Sequence, residues 1–591
     1  MIKFSQQSSR ASHLYARLKR VNQIDPSTAG RNAWALRSMA PISARTWALS
    51  AALPAALGVV IAISGCGSNL RATVTPIVPT GPASQPASYA FVVSASTSSP
   101  TAQGYGTVID YSGDTVMATA PIGPGPSTYA LSGGGSQAWT LNEDGTVSNI
   151  PVTTNLQEKQ ITYSTLNTIP AVGTPTDPAG LDPVVALFGG SLGLYALDVN
   201  LNELDVLTGT PDAFKLDVPL DQTPVTAVSV SGATRVFAIT QGIPYLTPFT
   251  FPGGGQTVDG GVACNVNPHG VGATGIADGI ETATYTVSSH IPLGVCPVYA
   301  VGSPDTKRVF VLNRGSDTIS VINSQNNTID SCSPGVNQNG QPYTCHPTLP
   351  LSSTALTALC ATTTVTPCPF IPTNGAAGLP AIAGPVYAEY ITATQQLVVS
   401  NYDGNTINII DVSLDEYGND SATFGTTFTV AVGNNPASVT ALADGSRAYV
   451  ANQTDGTVSV VNLASHTIET TLAVTGNPRT VVSTQNSNYG KVYVVSPNTP
   501  TVTIIRTDQD IIDTTVLVQG NAVDVRTTSP NASGSNLNLS SRLPGAGQPC
   551  FLPPSAFTSS TPLSLANCEE QDASLLTSAA QTTAVSRKLR H

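Results

Sequence analysis

The 591-residue sequence has few charged side chains, few histidines and no long helical pattern. Charged residues make up 10% of the chain, against about a quarter in an average soluble domain. No C-x-x-C, H-E-x-x-H, P-loop or EF-hand pattern occurs. Zinc ribbons, thioredoxin-like redox chemistry, zincin proteases and phosphate or calcium loops are therefore without support.

Basic residues are also in short supply. The chain has 24 Lys+Arg against 36 Asp+Glu, a formal net charge of −12. Most of the N-terminal charge is basic, and its only acid is Asp25, so removing residues 1–65 makes the remainder still more negative. Because nucleic-acid binding needs a basic surface, this balance argues against a nucleic-acid partner and for a solvated acidic surface.

The residues that are abundant indicate strands and turns. Gly 51, Pro 45 and 41% hydrophobic residues suit many short strands around a core. In residues 446–484 we predict four strands, separated by turns that include Asp455-Gly456, a strong hairpin signal. The predicted strands are RAYVAN, TVSVVN, TIETTLA and RTVVST. Four antiparallel strands in one such stretch predict a propeller blade, which needs neighbours to bury both of its faces.

Versions of this unit recur eight times between Ser88 and Thr528. The best-preserved copies contain RVFVLN, QLVVSN, RAYVAN and KVYVVS, and the copy around residues 192–207 is degenerate. These residues resemble the YVTN β-propeller repeat family, with Tyr449-Val-Ala-Asn452 and Gly476-Asn-Pro478 carrying the match. The resemblance implies an all-β fold, a β-propeller of four-stranded blades. Seven or eight blades remain open, because first and last strands can share a blade.

The N-terminus reads as a targeting segment. A basic lead is followed by an apolar run from Trp47 to Ile63 and then by Ile63-Ser-Gly-Cys66, which resembles a bacterial lipobox. In such signals the cysteine is diacylated and becomes the first mature residue, and two acyl chains suffice for stable anchoring. Met1 and Met39 are both open as starts. An ordinary signal peptide or a transmembrane anchor is the alternative to the lipobox.

We therefore expect a signal peptide over residues 1–65, a lipidated tether over 66–87, the propeller over 88–528 and an irregular tail over 529–591. The protein is then exported and anchored to the bacterial cell envelope, at the outer membrane or the periplasmic face. The predicted partners are the membrane, through the lipid, and a protein or a glycan.

Eight cysteines remain once Cys66 is assigned to the lipid, and an even number in an exported chain suggests disulfides. They fall in loop insertions and in the tail. Nearest-neighbour pairing is the simplest hypothesis, although sequence alone leaves the connectivity open. The pairs are Cys264–Cys296, Cys332–Cys345, Cys360–Cys368 and Cys550–Cys568.

The chain offers no convincing catalytic constellation. Gly189-Gly-Ser-Leu-Gly193 matches G-x-S-x-G, but a strand-like run follows where a nucleophile elbow needs a helix, so we interpret it as a blade-to-blade loop. His269 and His290 share one insertion and could meet near the axis as metal ligands or a general base; His346 and His466 carry no such hypothesis. We predict no catalytic residue, no metal ligand and no cofactor.

Aspartates recur after one strand of several units, namely Asp144, Asp317, Asp403 and Asp455. A ring of ligands is one interpretation, and tight-turn chemistry is the one we favour. The functional hypothesis is a binding or scaffolding module whose insertions form the docking surface. The alternative is a propeller enzyme of the lactonase or the quinoprotein/amine dehydrogenase type, and a structural envelope component is a third.

Overall fold

The computed structural model describes residues between 89 and 527, with gaps in some loops and insertions. The gaps are residues 99–101, 127, 132–137, 142–146, 151–163, 167–183, 191–192, 199–201, 210–211, 223, 231–233, 242–273, 332–344, 363–377 and 485. The predicted signal peptide, tether and tail lie outside the described residues.

The described strands form eight antiparallel sheets of at least four strands each, which we number as blades 1 to 8. Blade 1 contains β1 (Tyr89–Ala95), β2 (Gln103–Asp110) and β3 (Val116–Pro124), and blade 2 contains β4 (Thr128–Leu131), β5 (Ala138–Leu141), β6 (Val147–Ile150) and β7 (Ser164–Leu166). Blade 3 contains β8 (Val184–Gly190), β9 (Gly193–Asp198), β10 (Glu203–Gly209) and β11 (Asp212–Pro219). Blade 4 contains β12 (Pro224–Val230), β13 (Arg235–Thr240), β14 (Thr274–Glu281) and β15 (Thr286–Val295).

Blades 5 to 8 continue in the same order, and the last described strand, β33, returns to blade 1. Blade 5 contains β16 (Pro297–Gly302), β17 (Arg308–Asn313), β18 (Thr318–Asn323), β19 (Thr328–Ile329) and β20 (Thr348–Pro350), and helix α1 (Ser353–Thr362) follows it; blade 6 contains β21 (Pro385–Ile391), β22 (Gln396–Asn401), β23 (Thr406–Asp411) and β24 (Thr427–Ala431). Blade 7 contains β25 (Pro436–Ala441), β26 (Arg447–Asn452), β27 (Thr457–Asn462) and β28 (Thr467–Ala473); blade 8 contains β29 (Thr480–Ser483), β30 (Lys491–Val495), β31 (Thr501–Arg506) and β32 (Ile511–Leu517). Strand β33 (Asn521–Thr527) belongs to blade 1.

The sheets close into a ring. One edge strand of each blade contacts the corresponding strand of the next, in the unbroken order β33, β4, β8, β12, β16, β21, β25, β29 and back to β33. These are the innermost strands, and the structure is a β-propeller with eight blades. Strand β33 pairs with β1, from Ala90↔Thr527 to Ala95↔Asn521. The first and last described strands therefore complete one sheet, and the inner edge of β1 is covered.

The direction of each strand determines at which of the two ends of the ring each connection lies. Each innermost strand begins at the end that we call face A and finishes at the opposite end, face B. Because neighbouring strands are antiparallel, the turns between the second and third strands, and the connections from one blade to the next, all lie on face A. The other turns of each blade lie on face B.

The second strand of each blade provides the centre of the core. Phe91, Phe237, Phe310, Tyr449 and Tyr493 are all at most 1% exposed. Strands β26 and β27 are buried along nearly their whole length, whereas the outermost β28 is largely exposed. Inner strands are thus covered on both faces by neighbouring blades, and the outer strand meets solvent.

A buried asparagine explains part of the repeat. Asn452, at the end of β26, donates its Nδ2 hydrogens to Thr457 Oγ1 (3.0 Å) and Ser459 Oγ (2.9 Å) on β27. Asn313 makes the same pair of bonds to Thr318 and Ser320. In both blades, an asparagine at the end of the second strand bonds to polar residues five and seven positions later and so holds the turn to the third strand. The asparagine and these polar residues therefore recur together in the repeat.

The structure corrects the predicted unit boundary. The fourth strand of residues 446–484 is β29, which belongs to blade 8, whereas the sheet containing β26 to β28 is completed by β25. One sequence unit thus contributes three strands to a blade and the innermost strand to the next. This offset links neighbouring blades covalently and lets β33 close the ring.

Helix α1 was not predicted. Its N-cap is Ser352, whose Oγ accepts a hydrogen bond from the Ala355 N–H at 3.0 Å, and such caps stabilise a helix start by about 1 kcal/mol. The helix has no acidic residue in its first turn and no basic residue in its last, so charge provided no signal. Within the described part of the chain, no helix has the length and apolar character needed to cross a bilayer.

Candidate functional site

The predicted lipidation and disulfide residues are only partly described. Cys66, Cys264, Cys332, Cys368, Cys550 and Cys568 lie outside the described residues. Cys296, Cys345 and Cys360 are each disulfide-bonded, and Cys296 is fully buried between β15 and β16. The nearest-neighbour pairing stays a prediction.

The G-x-S-x-G match belongs to a hairpin inside one blade. Strand β8 ends at Gly190 and strand β9 begins at Gly193. The interpretation as a blade-to-blade loop was therefore wrong, because both strands belong to blade 3. A strand follows the motif, as the sequence indicated, and a nucleophile elbow requires a helix there.

Two of the histidines contact residues of neighbouring elements. The His466 ring stacks on Phe428 of blade 6 with 3.8 Å between centroids, and partial burial lowers the pKa of its imidazole. His346 Nδ1 lies 2.8 Å from an oxygen of the buried Asp420. His346 thereby joins the segment before β20 to the β23–β24 connection.

The recurring aspartates hold loops on face A. The Asp317 carboxylate accepts the Gly384 N–H of the next blade at 2.8 Å, and Asp455 accepts the Asn434 N–H at 2.7 Å and its side-chain amide at 2.8 Å. Asp403 accepts two hydrogen bonds of 2.9 Å from Arg314 of blade 5. These aspartates bind protein groups in adjacent loops, which goes beyond the tight-turn role; Asp144 lies outside the described residues.

Gly384 is required by this arrangement. Its φ is +64°, in the left-handed region, and a Cβ added there would meet the Asp403 carboxylate at 1.9 Å. A larger residue would therefore separate the Arg314–Asp403 pair, which joins blades 5 and 6, from the start of β21.

Near the ring axis, polar side chains from opposite blades converge; we call Tyr299, Tyr387, Glu389, Asp524 and Arg526 the axial cluster. Tyr299 lies on β16, Tyr387 and Glu389 on β21, and Asp524 and Arg526 on β33. Blades 1 and 5 are opposite each other in a ring of eight. Burial raises the pKa of both tyrosines, and the Arg526 charge opposes this rise, so Arg526 lies within electrostatic range of Tyr299 and Tyr387.

Four members of the axial cluster are buried, and the Arg526 side chain is 12% exposed. Arg526 Nη2 lies 3.1 Å from the fully buried Asp524 Oδ2, and the Tyr299 and Tyr387 rings are 4.7 Å apart. Burial raises the pKa of Tyr387 to about 12 and also raises the pKa of Asp524. The tyrosines are thus neutral groups at physiological pH, and Arg526 is paired with Asp524. We interpret the cluster as a polar plug inside the ring.

A second polar group lies on the outer part of blade 4. His290 is on β15, the outermost strand, so the expectation that it lies near the axis was wrong; His269 is outside the described residues. His290 Nδ1 is 2.9 Å from Asp278 Oδ1 and 2.7 Å from Asp221 Oδ2. Asp278 is fully buried and also accepts the Asp221 N–H at 3.0 Å. We call these three residues the Asp–His–Asp group.

The electrostatics of this group follow from burial and from the contacts. Burial raises the pKa of Asp278, and hydrogen bonds from Asp221 and His290 oppose that effect. The hydrogen bond to Asp278 is the main cause that raises the pKa of the exposed His290. Sequence reasoning singled out His290 but neither aspartate, because their proximity depends on strand register and on the loop between blades 3 and 4.

The longest connections near blades 4 and 5 leave from face A. One joins β13 to β14 over residues 241–273, and the other leads from β20 through α1 to β21 over residues 351–384. On face B, the turns of the same blades are short: residues 231–234, 282–285, 303–307 and 324–327. Helix α1 starts beside a face A turn, because the Leu351 N–H bonds to the Asp317 carbonyl at 2.9 Å.

Comparison with known proteins gives similarities of fold. No family model and no curated protein matches this chain. Among solved structures, AztD from Citrobacter koseri aligns with a TM-score of 0.44 and 12% identity over 74% of this chain and 97% of that one. Dihydro-heme d1 dehydrogenase NirN aligns with a TM-score of 0.43 and 10% identity over 76% and 78%.

A protein from Lactobacillus plantarum aligns with a TM-score of 0.39 and 14% identity over 74% of this chain and 99% of that one. The assignment as a propeller rests on the eight sheets and their closed order.

Proposed function

We propose that this protein is a binding module that is held at the cell envelope and contacts its partner with face A of the propeller. The observation that carries the proposal is the difference between the two faces at blades 4 and 5. Long connections leave these blades on face A, and short turns close them on face B. Since a rigid scaffold commonly presents binding residues on its longer loops, face A is the expected contact surface.

The axial cluster supports binding over catalysis. Its guanidinium is paired with Asp524 inside the ring, and burial holds its tyrosines neutral. A catalytic pair needs a nucleophile within reach of a base and access for a substrate. The tyrosines and carboxylates of the axial cluster are buried, which leaves a substrate little access to them.

The proposal is tested by cosedimentation of the chain without its lipid, residues 67–591, with a bacterial envelope fraction that contains both sacculi and membrane proteins. The face A variant combines Ala358→Glu and Ala361→Arg, both on the exposed side of α1. We expect saturable binding by the unmodified chain and at least about tenfold weaker binding by this variant, because charges are placed inside the contact surface.

The matched control is Tyr489→Ser on face B, where the tyrosine is 83% exposed. It should bind as the unmodified chain does. Absence of saturable binding, or equal losses in both variants, would contradict the assignment to face A. Treating the envelope fraction with protease before mixing distinguishes the two classes of partner, since a glycan survives the treatment and a protein does not.

A further inference from the structure

We propose that Asp221, Asp278 and His290 form a binding site for a divalent cation, with Zn²⁺ as the preferred ion. Each residue contributes one ligand atom, and these atoms all lie within 4.8 Å of one another. The site lies on the outer part of blade 4, away from the axis, and is independent of the function proposed above.

Strand register places two of the ligands. Asp278 on β14 lies directly opposite His290 on β15, and side chains of such a cross-strand pair project from the same face of the sheet. A β-bulge creates this pairing: Ile280 pairs with Val287, but Gly279 pairs with Ser289, so Ser288 is the extra residue. Without the bulge, Asp278 would face Ser289, and His290 would project from the opposite face.

The bulge is held by specific contacts. Ser288 Oγ donates a hydrogen bond to the Gly279 carbonyl at 3.0 Å, and Asn327 of blade 5 donates to the same Oγ at 2.8 Å. The third ligand arrives on the loop between blades 3 and 4, where the Asp221 N–H bonds to Asp278. Two ligands therefore lie on paired strands and the third is fixed by one of them, which is the pre-organisation that a metal site needs.

Charge supplies an independent argument. The group contains two carboxylates and one imidazole, and within the described residues the only ion pairs of Asp221 and Asp278 are those with His290. Asp278 is fully buried, and a buried carboxylate is costly unless a cation compensates it. One divalent ion would neutralise both carboxylates at once.

The spacing of the ligand atoms suits a small ion after minor adjustment. The present distances of 2.7 and 2.9 Å from His290 Nδ1 are those of hydrogen bonds. Tetrahedral Zn²⁺ with bonds of about 2.1 Å separates its ligand atoms by about 3.4 Å. The His290 nitrogen and each carboxylate oxygen must therefore move apart by roughly half an ångström. His290 and Asp221 are 54% and 42% exposed, which allows this movement and leaves the fourth position to water.

The ligand types determine the expected selectivity. Imidazole nitrogen suits Zn²⁺ and neighbouring transition metals, whereas Mg²⁺ and Ca²⁺ prefer oxygen ligands and six or more of them. A site with one nitrogen and two carboxylates should therefore bind Zn²⁺ at least about a hundredfold more tightly than Mg²⁺.

The experiment uses the mature chain without lipid, residues 67–591, stripped of metal with a chelator. Calorimetric titration with Zn²⁺ alone should show one equivalent bound. Elemental analysis after desalting should give the same stoichiometry. Asp221→Asn and His290→Gln should each weaken binding at least about tenfold, because each removes an atom that would bind the ion directly. Both replace exposed groups, so the fold is expected to persist, and circular dichroism of the metal-free variants checks this.

The control is His466→Gln, which removes a histidine that stacks on Phe428 and has no carboxylate against it among the described contacts. It should retain the full equivalent. Co²⁺ in place of Zn²⁺ should show visible d–d absorption typical of a tetrahedral site, lost in His290→Gln. The proposal is overturned if the unmodified chain binds no Zn²⁺, if Mg²⁺ competes at equal concentration, or if both ligand variants bind as tightly as the unmodified chain.

Discussion

At the residue scale, the most buried ionic cluster of the described structure contains one arginine and two aspartates. Arg308 is 3% exposed and lies 3.2 Å from Asp330 and 3.4 Å from Asp420, and His346 contacts Asp420 from the other side. Despite the arginine, burial and the neighbouring Asp420 raise the pKa of Asp330 to about 6. Ionised Asp330 is therefore a net cost to the folded state.

The sign of the pH dependence follows from this shift. In the unfolded chain the pKa of an aspartate is about 3.9, so between pH 4 and pH 6 the folded protein binds more protons at Asp330 than the unfolded chain does. The contribution of Asp330 to the free energy of unfolding consequently falls as the pH rises through this window. It is most unfavourable above pH 6.

We predict that Asp330→Asn raises the free energy of unfolding at pH 7.5 by up to about 3 kcal/mol, since two pKa units correspond to roughly that energy. Arg308 keeps Asp420 as its partner. Urea unfolding of the variant and the unmodified chain at pH 4.5 and pH 7.5 measures the effect, which should be much smaller at pH 4.5. Destabilisation at pH 7.5 would show instead that the ionised Asp330–Arg308 pair is net favourable.

The exposed pair Arg506–Asp508 provides the control for this measurement. Its side chains are 40% and 30% exposed, and exposed pairs of this kind contribute little to stability because water screens them. Asp508→Asn should therefore change the free energy of unfolding little at either pH.

At the element scale, strand β33 decides whether the ring closes. It is the innermost strand of blade 1, and it contacts the innermost strands of blades 8 and 2. Ala522 and Val525 are fully buried in a core that includes Ala90 and Val92 of β1 and Tyr493 of β30. Without β33, blade 1 would expose the inner edge of β1, and the ring would have a gap.

We predict that a chain ending at Gly520 fails to form a stable monomer, whereas a chain ending at Thr527 folds. The first lacks β33, which pairs with β1 and fills the core at the closure, and exposed sheet edges promote association. Size-exclusion chromatography and limited proteolysis compare the two. A monomeric, protease-resistant product ending at Gly520 would contradict the role of β33 in closure.

At the scale of the whole molecule, the propeller fold and the predicted location in the cell envelope rest on different observations. The closed ring follows from the described strands, while anchoring rests on the sequence around Cys66. A diacylated cysteine attaches a protein stably because two acyl chains provide enough buried hydrocarbon. The ring would then bind its partner close to a membrane surface, with residues 66–87 as the tether.

We predict that Cys66→Ala moves the protein from the membrane fraction to the soluble fraction of the envelope, or blocks processing of the leader. Fractionation of expressing cells and mass spectrometry of the mature N-terminus measure the two outcomes. Ser68→Ala is the control, because it changes a residue close to the lipobox and keeps Cys66. Unchanged membrane attachment and processing in Cys66→Ala would refute the lipid anchor.

The sequence by itself determined the fold class and much of the frame. Alternating apolar residues, Asp-Gly turns and the recurring asparagine exemplified by Asn452 are local signals, because each acts between residues a few positions apart. They were sufficient for eight units and for four-stranded blades. They did not determine which blade a strand joins, because the strand before each unit looks the same whether it pairs backward or forward.

The tertiary structure decided the rest. The number of blades depended on β33 pairing with β1 at the opposite end of the repeats, and the axial cluster depended on that closure, which brings Arg526 near Tyr299 and Tyr387. The Asp–His–Asp group depended on one extra residue, Ser288, which shifts the register so that Asp278 and His290 project from the same face of blade 4. Contacts of this kind form between distant segments, and local pattern does not encode strand register or loop position.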